Sequence, residues 1–120
     1  IYVVHRRGDL QEYAPDIEIH QWVLPDPDEV VITKTRPGLL STTALDVTLR
    51  EMEGHLVIME VATSRCVLSA VRWATDINYR FIVLSGACSD GDPEVHRVLT
   101  EKVYLRQGTV MSTQELLVAI

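Results

Sequence analysis

The chain has 120 residues, 47% of them hydrophobic and 23% charged, with a formal net charge of −6. Such a length suits one folded domain, and such a mix excludes a disordered segment. The acidic balance excludes a broad nucleic-acid footprint, which needs clustered Lys and Arg, and no apolar run approaches a membrane span. Cys66 and Cys88 are too few for a disulfide framework and lack CxxC spacing, so two free thiols in a reducing cytoplasm are expected.

The first element is the run Ile1 to His5, rich in β-branched residues and suited to a strand buried on both faces. An opening on Ile in mid-strand, rather than on Met, carries the expectation of an N-terminal segment outside these 120 residues. The stretch from Arg6 to Glu29 reads as a polar loop from its Pro and Asp content. Val30 to Thr33 is the second strand, followed by a loop that Pro37 and Gly38 punctuate. A helix begins near Thr42 or Thr43, either hydroxyl being a suitable cap, with Leu45, Leu49 and Met52 at helical spacing and Gly54 closing it. Leu56 to Glu60 is the next strand. From Ser64 to Ile77 the stripe Val67, Ala70, Val71, Ala74 and Ile77 predicts a helix that Asn78 ends. Tyr79 to Ser85 is a strand. Asp92 and Pro93 open a helix running to Tyr104. Gly108 to Ser112 is a short strand, and Ser112 with Glu115 forms a capping box for a C-terminal helix. Alternating strands and helices with strongly apolar strands predict an α/β fold, a parallel sheet with helices on both faces and chemistry at the carboxyl ends of its strands.

Cys66 falls in the first turn of the Ser64–Ile77 helix, just beyond a strand. Backbone N–H groups and the helix dipole favour a thiolate there, and the same N–H groups suit a developing oxyanion. Free cysteine is also commonly a small buried hydrophobe, so position alone leaves both readings open. Lys34 closes the second strand, either as a solvated terminus or as a cation at an active-site mouth that stabilises a neighbouring anion. No glycine-rich dinucleotide or P-loop motif is present. His5, His20, His55 and His96 form no metal-ligand pair at helical spacing, so neither a metal nor another cofactor is expected. His96 reads as a helix-surface or packing residue, Cys88 as structural, and Asp26 to Glu29 as a solvated loop. Trp22 and Trp73 read as packing or interface residues, with Trp22 also a candidate to line a pocket.

Three stretches together resemble the isochorismatase-like cysteine hydrolases, a family that includes nicotinamidases, N-carbamoylsarcosine amidases and ureidoacrylate hydrolases. "VATSRCVLSAVRWATDINYRFIVLSGACSDGDPEVHRVL" resembles that family's nucleophile elbow and the elements after it. "VVITKTRPGLLSTTALDVTLREM" resembles its lysine strand and following helix, and "GTVMSTQELL" its C-terminal end. The resemblance implies a three-layer α/β/α fold with a mostly parallel, Rossmann-like sheet. It implies Cys66 as nucleophile, Lys34 as catalytic lysine, a non-proline cis peptide at Val61–Ala62, and the N–H groups of Ala62 and Cys66 as oxyanion hole. It further implies a small-molecule substrate, a cytoplasmic homo-oligomer, and C–N hydrolysis of an amide, ureide or carbamoyl compound through an acyl-thioester.

The family's aspartate belongs to a strand ahead of "IYVVH", and Asp9, in the loop after that strand, is not assigned its role. Glu60 stands where Gly is usual. Leu39 and Leu40 stand where a small residue and an aromatic are common, which makes Leu40, with Trp22, a candidate for the substrate pocket. Gly86 replaces a frequent aspartate. "VHRRGDL" lacks the Asp-x-His metal pair of nicotinamidases, so zinc and nicotinamide are not expected. Cys66 with Lys34 favours an amidohydrolase. Glu60 and the aspartate absent from the sequence favour an inactive binding or assembly module. A generic small-ligand binder is a third reading.

Overall fold

The computed structural model of the protein describes residues 1–5, 19–52 and 55–120. Asp9 and most of the loop predicted after the first strand lie outside the described residues. Strands β1 (Tyr2–His5) and β2 (Val31–Lys34) form one parallel ladder, with Tyr2 opposite Val31 and His5 opposite Lys34. Strands β3 (Leu56–Ile58), β4 (Phe81–Leu84) and β5 (Thr109–Met111) form another, in the order β3-β4-β5 and again parallel. Every strand lies where the apolar runs put one, and every pairing among the described residues is parallel. The parallel α/β fold is as expected, and among the described residues its strands fall into two ladders, β1-β2 and β3-β4-β5. Among the described residues β3 pairs only with β4. Its residues Leu56 to Ile58, together with Ile1, Leu45 and Leu49, line an apolar cavity of about 660 Å3.

The helices follow their local signals. Helix α3 (Leu68–Asp76) buries Ala70, Val71 and Ala74 with Val67 of the preceding turn, each at most 2% exposed. This is the stripe expected from 3.6-residue periodicity. Asn78, just beyond, takes φ 57, a left-handed value that Asn tolerates and that ends the helix. Helix α4 (Pro93–Val98) is capped by Asp92, which accepts from the N–H groups of Glu94 and Val95. The predicted continuation to Tyr104 is not one α-helix. Leu99–Val103 widens into a π-helical turn and Tyr104–Arg106 tightens into a 3-10 turn. Helix α5 (Thr113–Ala119) carries the full Ser112–Glu115 capping box.

The segment after β2 departs from expectation. Leu39–Thr42, read as loop, forms the short helix α1, and α2 (Leu45–Arg50) follows after a break. The hydroxyls of Thr42 and Thr43 donate back to the carbonyls of Gly38 and Leu39, while Thr43 Oγ1 accepts from the Leu45 N–H at the start of α2. Leu40, Leu45 and Leu49 go into the core formed with α3, Ile58, Phe81, Val83, Cys88 and Tyr104.

Gly108 is required by this packing. A Cβ there would stand 2.4 Å from the ring of Phe81, a residue only 5% exposed. The ring is enclosed, so relief requires an off-rotamer side chain or a backbone shift. Gly108→Ala is expected to lower stability by about 1–3 kcal/mol. Urea unfolding measures it, and an unchanged midpoint would contradict this account of the contact.

Candidate active site

The site assembles where β2 and β3 end. Lys34 is the last residue of β2 and is 1% exposed. A lysine at that depth carries a large desolvation cost unless its ammonium is paired. It is paired: Nζ stands 2.6 Å from Glu60 Oε1, and Cys66 is close enough to act on the same ammonium. Burial pushes the Lys34 amine down, but the hydrogen bonds and charges of Cys66 and Glu60 together outweigh it and hold the amine above its ordinary value. The cation therefore persists inside the protein at neutral pH.

The turn that delivers Cys66 is held from the β4 side. Val61 makes a parallel bridge with Ser89, continuing the β3–β4 direction beyond the strands. The Val61–Ala62 peptide bond is cis. The Thr63 N–H donates to Ser89 O at 2.8 Å, and the Ser64 N–H to Asp90 Oδ2 at 2.7 Å. The chain then enters the π-helical turn Thr63–Val67, which leads into α3 and carries Cys66, 6% exposed. Hydrogen bonds from Ser64 hold the Asp90 carboxyl below the usual range. Thr63 is fully buried and fully satisfied, with Oγ1 2.7 Å from His96 Nδ1 and its carbonyl accepting from the Tyr104 hydroxyl at 2.5 Å. Burial, then the nearby Cys88 and Asp90, push the Tyr104 phenol up, so it stays a donor.

The structure thus brings Lys34 and Cys66 together and adds Glu60 to them. Leu40 and Trp22 are not at this site. Leu40 is 4% exposed within the core, and Trp22 is 85% exposed. Their neighbours Leu39 and Val23 line the apolar cavity instead, together with Glu60. In α1 successive side chains point about 100° apart, so Leu40 enters the core while Leu39 packs at its edge and reaches the cavity. Trp22 instead sets its ring edge against His20, with centroids 5.0 Å apart. Cys88 packs in the core with its sulfur 3.8 Å from Ile58 O, and burial pushes its thiol up. Asp90 and Tyr104 escaped the sequence reading. The Asp in "CSDGD", placed at the carboxyl end of β4, was the available signal for the first. Nothing local marked Tyr104. Among the described residues no three His, Cys, Asp or Glu side chains gather as a metal site.

A family model described as an isochorismatase domain matches residues 3–115. The ureidoacrylate amidohydrolase RutB of Acinetobacter baylyi is 33% identical over 101 residues. That match covers 82% of this chain and 41% of RutB, so the chain spans less than half of this relative's length. Among solved structures, a cysteine hydrolase from Pseudomonas syringae pv. phaseolicola superposes with a TM-score of 0.83 at 23% identity, covering 96% of this chain and 68% of that one. A protein from Oleispira antarctica, assigned as an isochorismatase hydrolase, superposes with a TM-score of 0.88 at 24% identity, covering 97% and 70%. At that identity the superpositions establish the fold.

Proposed function

The chain belongs to the isochorismatase family, and we propose that it is a cysteine hydrolase cleaving a C–N bond of a small amide, ureide or carbamoyl compound. The observation that carries this reading is the buried Lys34 ammonium, close enough to Cys66 to interact with its sulfur, at the carboxyl end of a parallel strand. A cation beside a sulfur stabilises the thiolate, which is the nucleophilic form. In this reading the thiolate attacks the carbonyl carbon, and the N–H groups of Ala62 and Cys66 hold the resulting oxyanion. The C–N bond then breaks, the nitrogen takes a proton from water and leaves as an amine or ammonia, and an acyl-thioester remains on Cys66. Water attacks that carbonyl, the C–S bond breaks, and the acid departs with the thiol regenerated. The likeness to an enzyme named for ureidoacrylate supports a ureide as the first substrate class to assay. Two free cysteines support a reducing, cytoplasmic setting, and a homo-oligomer is the assembly we assign.

The burial of Cys66, 6% exposed, favours the alternative of an inactive binding or assembly module. Limiting iodoacetamide near neutral pH, with the adduct mapped by mass spectrometry, separates the two. Cys66 is expected to react at least ~10-fold faster than Cys88, whose thiol burial disfavours ionising. Equal labelling, or none, would establish the inert module.

A further inference from the structure

Lys34 is one cation between two groups that compete for it. Its Nζ is 2.6 Å from Glu60 Oε1, and its side chain is 0% exposed. Cys66 is the second anionic candidate close enough to act on the same ammonium. With Glu60 ionised and Cys66 a thiol, the three groups sum to zero charge. Ionising Cys66 then leaves one uncompensated negative charge where water reaches poorly, since Glu60 is only 21% exposed and Cys66 only 6%. Such a charge is costly. Among the described residues, two further titratable groups near Glu60 do not relieve it. Cys88, which faces Glu60 from beyond β4, is held as a thiol by its burial, and Glu29, which lines the same cavity, adds negative charge.

We infer that Glu60 is a positioning residue that holds the Lys34 ammonium and thereby restrains ionisation of Cys66, acting as a brake on the nucleophile. It acts through Lys34 and takes no proton from the sulfur. The inference rests on Cys66 being the nucleophile. It goes further in assigning the pH at which that sulfur reacts to a carboxylate at position 60. A substrate whose N–H groups donate to Glu60 would draw the carboxylate away from Lys34 and release the cation to the sulfur. Amides and ureides supply such donors.

The test is the pH–rate profile of Cys66 alkylation by iodoacetamide in the wild-type chain, Glu60→Gln and Glu60→Asp. Glutamine keeps the size and one acceptor but removes the charge, leaving Lys34 and an ionised Cys66 as a neutral pair. Glu60→Gln is expected to move the midpoint of the profile about one pH unit lower and to raise the rate at pH 7 about tenfold. Aspartate, shorter by one methylene, is expected to fall between the two, and it decides the question if the glutamine variant does not fold. A purely structural ion pair would lower the unfolding midpoint and leave the profile in place. A profile unchanged or moved to higher pH, with Cys66 still the labelled residue, overturns the brake and leaves the nucleophile assignment standing. Absence of label on Cys66 at every pH in every variant overturns both.

Discussion

Cys66→Ala is expected to lower kcat/KM for ureide or amide hydrolysis by at least ~10^3-fold, because the covalent route loses the only atom that forms the bond. The sulfur is part of a packed turn, yet its removal is a small volume change, and stability is expected to fall by less than ~2 kcal/mol. The two readouts separate chemistry from folding. Released ammonia or amine measures the first and urea unfolding the second. Trapping adds a positive sign: rapid quenching of the wild type with substrate is expected to leave an acyl mass on the peptide containing Cys66, and none on that of the variant. A variant that folds and still turns over at more than about a tenth of the wild-type rate would end the thioester mechanism. The site would then have to work by activating water directly.

Lys34→Met is expected to have the largest effect on folding. Methionine matches the length of lysine and its freedom of rotation, so the change is mainly one of charge. Breaking a fully buried ion pair costs ~3–5 kcal/mol, because one charge is left without a partner. Glu60 keeps some access to water, 21% exposure of its side chain, so a loss of about 2–4 kcal/mol is expected here. Removing both charges, in Lys34→Met with Glu60→Gln, is expected to restore much of that stability, because no orphan remains. Reactivity follows a different rule. Without the ammonium, Cys66 is expected to alkylate about tenfold or more slowly at pH 7, and the double variant is expected to stay slow. Urea midpoints and alkylation rates on the same four proteins decide it. A stable Lys34→Met with unchanged Cys66 kinetics would remove the lysine from the mechanism.

The same pair sets an alkaline limit. The Lys34 amine is held above its ordinary value of 10.5, so the folded chain binds this proton more tightly than the unfolded chain does. The stability it contributes is complete below the ordinary lysine value and is lost as pH rises through the higher folded value. At neutral pH the contribution is constant.

Several elements could be read from short stretches because their causes are local. Asp92 with Pro93 opens α4, Ser112 with Glu115 caps α5, and the Val67–Ala74 stripe becomes the buried face of α3. In each, the residues that decide the geometry lie within a turn or two of one another, so spacing alone carries the information. The segment after β2 misled because Pro37 and Gly38 are genuine breakers. They govern only their own positions, and Leu39 and Leu40 were free to form a helical turn once a core was there to receive Leu40.

Residue types and strand ends sufficed to nominate Cys66 and Lys34, and strongly apolar alternating strands sufficed for a parallel α/β fold. What remained depends on contacts that no local pattern encodes. Lys34 and Glu60 are 26 positions apart, and Tyr104 and Thr63 are 41 apart. Whether Lys34 met a carboxylate, a thiol or water was settled only when the fold brought the end of β2 to Glu60, just beyond β3. Burial of the ammonium then made a partner obligatory, and that long-range electrostatic demand, rather than any motif, brought Glu60 into the site.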